Sequence, residues 1–168
     1  MTAGGAYRLP DESATLRLGA ALGSHCPRVP AGPRILYLKG GLGAGKTTVA
    51  RALLGALGHG GAVRSPSYTL VEPYAVAGFK VLHADLYRLQ APGEWRALGI
   101  NDELGEDSLL LVEWPEKGEG ALPPADLELE LTVAGEGRNA MMAATSEAGR
   151  RWLDGAATEL HGLECPSR

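Results

Sequence analysis

Aromatic side chains are scarce in this chain of 168 residues, with three Trp, five Tyr and one Phe making up 5%. A core built with so few of them has to be filled by Leu, Val and Ala. Only two cysteines occur, Cys26 and Cys165, and their spacing fits no metal-ligand pattern. Free thiols in a reducing cytoplasm are the expected state, with a single disulfide between the two as the alternative. No apolar run approaches the roughly 18 residues that suggest a membrane span. Residues 1–6 combine neither a basic segment nor an apolar one, so no signal peptide is expected. Basic surplus is also missing. The net charge is −4, and strong independent binding of nucleic acid would ordinarily show a basic face, although net charge leaves a local patch open.

What is present fits one α/β domain over residues 1–168. Hydrophobic residues at 45% and charged residues at 21% are ordinary for a globular chain, and the length suffices to bury a core. The 24 glycines are scattered, so single glycines carry little weight. One run of them differs. Gly40-Gly41-Leu42-Gly43-Ala44-Gly45-Lys46-Thr47 fits the phosphate-loop pattern G-x-x-x-x-G-K-[ST] at every fixed position. Glycines let successive backbone N–H groups turn inward as an anion nest, which a Cβ would obstruct. The lysine brings a point charge to the β/γ-phosphates, and the threonine hydroxyl is a magnesium ligand. Candidate nucleotide-binding residues are therefore Gly43, Ala44, Gly45, Lys46, Thr47 and Thr48. The flanks agree, with a short buried strand over 34–39 and a helix over 48–57 that stops at Gly58.

Around this loop, Asp11 is a cap candidate for a helix begun at Leu9-Pro10-Asp11-Glu12, on which Leu18 and Leu22 share a face. Pro27, Pro30 and Pro33 break that helix. Strand patterns fall at the end of 63–74 and over 79–85, a hairpin pair through a turn at Ala77-Gly78. A short helix covers 94–98. Leu109-Leu110-Leu111-Val112 is wholly apolar, as in a central parallel strand. Residues 127–133 alternate strictly and 138–144 form their hairpin partner. A closing helix from Ser146 carries Trp152, Ala156 and Leu160 at helical spacing, and the tail 164–168 is expected to fray. The sum is a mixed sheet, parallel around the loop and antiparallel toward the C-terminal hairpin.

Hydrolysis of a nucleotide needs a carboxylate near the metal and a group that orients water. Glu113 follows the apolar run, and Asp85 follows Val81-Leu82-His83-Ala84; both should emerge where the loop lies, beyond the C-terminal ends of parallel strands. Spacing leaves open which acid holds metal and which orients water. Ser65, Ser67 and Thr69 form a hydroxyl-rich loop of a kind that senses a γ-phosphate elsewhere, but it is also an ordinary turn composition. His83 reads as a core group, Arg88 as a partner for an acid, and Trp95 and Trp114 as packing.

Taken together, these motifs resemble the TsaE (YjeE) family, small bacterial ATPases needed to make N6-threonylcarbamoyladenosine (t6A) in tRNA. The likeness runs through Leu9-Pro10-Asp11-Glu12 with Thr15-Leu16 and Gly19, Leu42 to Thr48, Ser65-Pro66-Ser67-Tyr68-Thr69-Leu70-Val71, His83-Ala84-Asp85-Leu86-Tyr87-Arg88-Leu89, Leu98-Gly99-Ile100 and Val112-Glu113-Trp114-Pro115-Glu116. It thins beyond Leu122, where only Gly137-Arg138 aligns. The resemblance implies a three-layer P-loop NTPase fold, with ATP and Mg²⁺ as ligands. It implies Lys46, Asp85 and Glu113 as catalytic residues, and Thr47, Asp85 and Glu113 around the metal. Implied partners are the TsaB and TsaD subunits, with tRNA engaged indirectly through them. Two positions depart from the family pattern: Gly41 stands where Asp is usual, and Ser67 where Thr is usual. The loop and the length also fit a small-molecule kinase, although no arginine-rich lid is evident. A GTPase switch would need an Asn-Lys-x-Asp element, which the chain lacks.

Overall fold

The computed structural model describes residues 3–28, 32–76 and 78–165. Pro30 of the expected helix break, Ala77 of the expected turn and residues 166–168 of the tail lie outside them.

Seven strands form one sheet in the order β1-β7-β6-β2-β5-β4-β3. They are β1 (Gly4–Leu9), β2 (Arg34–Gly40), β3 (Val71–Val76), β4 (Phe79–Asp85), β5 (Ser108–Glu113), β6 (Leu127–Ala134) and β7 (Gly137–Ala144). Strands β6, β2, β5 and β4 run parallel. The pairs β7–β6, β1–β7 and β3–β4 are antiparallel, so the sheet is antiparallel at both edges and not only at the C-terminal hairpin. Helices α1 (Glu12–Ser24), α2 (Lys46–Ala56) and α5 (Glu147–Ala157) pack on one face. The short helices α3 (Pro92–Ala97) and α4 (Ile100–Glu103) pack on the other. Helices on both faces explain why every residue of β5 is buried. Leu109 and Leu111 join the cluster with α1 and α2, while Leu110 and Val112 join the cluster around Trp95. No helix among the described residues is long and apolar enough to cross a membrane.

Several elements differ from expectation. Strand β1 has no strand pattern in the sequence, because it opens with Gly4-Gly5-Ala6 and only Tyr7 and Leu9 are buried; its six-residue register with β7 creates it. Leu9 therefore ends a strand, and α1 begins at Glu12 with Asp11 capping it by accepting the Ala14 N–H at 2.9 Å. Helix α3 starts at Pro92, where the missing N–H costs nothing, and not at Glu94. Helix α4 has four residues, too few for any periodicity to reveal it.

Helices α1 and α2 come so close that glycine is required between them. A Cβ at Gly19 would lie 2.6 Å from the Val49 carbonyl oxygen, and one at Gly23 would lie 2.5 Å from that of Leu53. The four-residue spacing puts both glycines on one helical face. Replacement Gly19→Val is expected to destabilise the fold by about 1–3 kcal/mol through overpacking, read as a lower denaturant midpoint.

Cys26 is buried and Cys165 exposed, both as free thiols. Burial pushes the Cys26 thiol up to about 12, against the opposing pull of Arg34 and Arg28. A thiol reagent at pH about 8 should therefore titrate Cys165 rapidly and Cys26 only on unfolding; fast reaction of both thiols in the native protein would contradict this.

Candidate functional site

The phosphate loop leaves the C-terminal end of β2 and enters α2. Gly43 and Gly45 have φ of +72° and +106°, a region that side chains with a Cβ rarely adopt. No side chain caps α2 at Gly45, so its first-turn N–H groups are left for an anion. Gly41 is different. Its φ is not positive, and a Cβ there would meet nothing within 4 Å. Its backbone therefore does not demand glycine.

Lys46 is 5% exposed and folds back over the loop. Its Nζ donates to the carbonyls of Gly40 at 2.8 Å and Gly41 at 2.7 Å and lies 4.3 Å from the centre of the Trp114 ring. Burial lowers its pKa, while the charges of Glu113, Asp85 and Glu116 work the other way. Trp114, expected as packing, is thus a wall of the lysine site.

Glu113 ends β5 beside the loop helix. The Thr47 hydroxyl donates to its Oε1 at 2.9 Å and lies 3.2 Å from Oε2. His83 Nε2 approaches the same Oε1 at 2.9 Å. Glu113 is 2% exposed and His83 is fully buried, so the two donors replace the water this carboxylate has lost. His83 Nδ1 has no hydrogen-bond partner. With the ring proton on Nε2 facing the carboxylate, Nδ1 is an unsatisfied acceptor, a burden of about 1–3 kcal/mol.

Asp85 pairs with Glu113 in the β4–β5 register, yet its contacts differ. It accepts from the Ser65 hydroxyl and from the Tyr87 N–H at 2.9 Å. The acids are adjacent without being equivalent: Glu113 engages the loop helix, whereas Asp85 engages the 65–70 segment.

These groups line a cleft of about 650 Å³. Among the residues singled out from the sequence, Gly43, Gly45, Lys46, Thr47, Thr48, Asp85 and Glu113 line it, together with Ser65 and Ser67. Ala44 does not; its side chain is buried in the core. Arg88 also lines the cleft, but its guanidinium lies 4.0 Å from the ring centre of exposed Tyr68 and not in an ion pair. Leu70 and Trp114 are the non-glycine residues with positive φ among the described residues, at 66° and 58°. Both adjoin the site, Trp114 directly and Leu70 through its carbonyl, which accepts the Asp85 N–H at 2.9 Å.

Arg138, which the resemblance aligns, stands at the start of β7. Its Nε donates to the Ala44 carbonyl and its second guanidinium nitrogen to that of Gly43, both at 3.0 Å. Those bonds hold two loop carbonyls away from the cleft. No sequence pattern signals this, because the contact spans 94 positions.

Among the described residues, no three His, Cys, Asp or Glu side chains gather as a metal cage. The Thr47 hydroxyl and Glu113 carboxylate do lie side by side as oxygen donors. That set suits Mg²⁺, which keeps several waters and relies on one or two protein ligands plus substrate phosphates.

Fold and loop together define the class, a P-loop NTPase fold whose phosphate loop opens on a cleft. The same fold is seen in the crystal structure of Bacillus subtilis YdiB, with a TM-score of 0.74 and 23% identity, covering 94% of this chain and 97% of that one. The family model of the threonylcarbamoyl adenosine biosynthesis protein TsaE matches residues 9–140. The tRNA threonylcarbamoyladenosine biosynthesis protein TsaE of Haemophilus influenzae is 43% identical over 143 residues, 84% of this chain and 90% of its own. That of Aquifex aeolicus is 38% identical over 134 residues, 79% and 83% of the two chains. The chain belongs to the TsaE family.

Removing the Arg138 clamp should loosen the loop. Arg138→Ala is expected to raise the nucleotide Kd about tenfold or more, measured by titration with a fluorescent nucleotide. Arg138→Lys should recover little, since an ammonium cannot reproduce the planar fork.

Proposed function

We propose that this protein is the ATP-binding and ATP-hydrolysing component of t6A synthesis, acting on a TsaB–TsaD assembly. On this reading it does not itself transfer the threonylcarbamoyl group to adenosine 37 of tRNAs that read codons beginning with A. The observation that carries the reading is the contact of Thr47 with Glu113 beneath an open phosphate loop. The names of the relatives support the pathway. The net charge of −4 accords with tRNA being held by a partner and not by a basic face of this chain.

Each residue then has a physical task. Inward N–H groups of the loop bind the phosphates, and Lys46 exchanges its two carbonyl partners for β/γ-phosphate oxygens. Thr47, Glu113 and Asp85 would hold Mg²⁺, which supplies neutralisation of the phosphate charge when bound. Between the two acids, the Thr47 contact favours Glu113 nearest the metal. Asp85, tied to Ser65, is placed to couple the 65–70 segment to the nucleotide and to orient water.

Asp85→Asn and Glu113→Gln should each abolish turnover, because metal placement and water orientation are lost while the loop backbone still holds the phosphates. Nucleotide affinity should stay largely intact by isothermal titration; its loss in Glu113→Gln would contradict the role given to that residue. Lys46→Ala should fail to support t6A formation when combined with TsaB, TsaD and tRNA. ATP-dependent phosphorylation of a metabolite by the isolated chain would instead indicate a small-molecule kinase.

A further inference from the structure

His83 takes no part in the reading above, yet its surroundings are those of a working residue. It lies within β4, two positions before Asp85, and is fully buried. The parallel register sets it opposite Leu111, two positions before Glu113, so all three polar groups share one face of the sheet. Its Nε2 and the Thr47 hydroxyl converge on a single oxygen, Oε1 of Glu113, at 2.9 Å each. The last torsion of a glutamate is soft, and two donors on one oxygen restrain it. Oε2 keeps only the longer 3.2 Å contact to Thr47, so it is the less engaged of the two oxygens of a residue that lines the cleft. Meanwhile Nδ1 is left without a partner. An apolar side chain would fill the same space without that burden, so packing alone does not account for histidine here.

We infer that His83 is a positioning residue, whose Nε2–H fixes the Glu113 carboxylate against Thr47 so that its second oxygen faces the metal. This rests on the proposal that Glu113 lies at a Mg²⁺ site. What matters is one donor at one place.

Amide side chains separate that role from a merely polar filler. Glutamine can place its amide nitrogen near the position of Nε2, and asparagine near that of Nδ1. The probe is Mn²⁺ binding, followed by electron paramagnetic resonance on the full chain with a non-hydrolysable ATP analogue. His83→Leu and His83→Asn should raise the Mn²⁺ Kd about 10–100-fold, and His83→Gln should restore it to within about threefold of the original. Affinity for the analogue without metal should be unchanged in all three. Thermal melting shows whether each variant is folded; if His83→Leu is not, the Gln–Asn contrast still decides.

Unchanged Mn²⁺ affinity in folded His83→Asn, or equal behaviour of the Gln and Asn variants, would overturn the inference. Glu113→Gln distinguishes this from failure of the parent reading. If Glu113→Gln weakens Mn²⁺ binding while the His83 variants do not, only the role of His83 falls. If Glu113→Gln leaves Mn²⁺ binding intact, the metal role of Glu113 falls and the positioning role falls with it.

Discussion

Strand β5 lies between β2 and β4, and its parallel register with both determines what the cleft contains. Leu38 and Asp85 are the two neighbours of Glu113 in that register. Alternation along β5 sends Leu109, Leu111 and Glu113 toward α2 and sends Leu110 and Val112 to the opposite core. A slip of one residue would turn Glu113 away from Thr47, and would exchange Leu109 and Leu111 with Leu110 and Val112 between the two cores. The apolar burial that holds β5 in place therefore also aims its carboxylate. The same burial removes water from Glu113, which explains why Thr47 and His83 must both donate to it.

Around that fixed acid, the phosphate loop is held from three sides. Gly43 and Gly45 supply the left-handed backbone. Arg138 ties two loop carbonyls to the β6–β7 hairpin, and Lys46 ties two more from within. Backbone strain lies at the same place. Trp114 directly follows Glu113, and Leu70 binds the amide of Asp85, so each acid adjoins one residue in an unfavourable conformation. Strain of this kind persists where the surrounding structure over-determines it, and such places tend to be functional.

Much of this was legible without coordinates. The phosphate loop, the apolar run of β5, the alternation of β6 and the helical spacing of α5 are local patterns, each read within about ten residues. The Asp11 cap is local too. Strand β1 was not legible, because its Gly4-Gly5-Ala6 start carries no strand signal and becomes a strand only against β7. Helix α4 was too short. Histidine at 83 was read as a core group, and buried it is, but its partner lies 30 positions away.

The sequence by itself determined the class of site: a nest of glycines, a lysine, a hydroxyl and two carboxylates at strand ends, with the family motifs that connect them. Tertiary structure alone decided how these groups divide. Thr47 meets Glu113 across 66 positions, Ser65 meets Asp85 across 20, and Arg138 meets Ala44 across 94. Local chemistry settles what a residue can do, because backbone preference and side-chain type act over a few bonds. Which residue it does this with depends on strand register and helix packing, and those follow from burying the whole core at once.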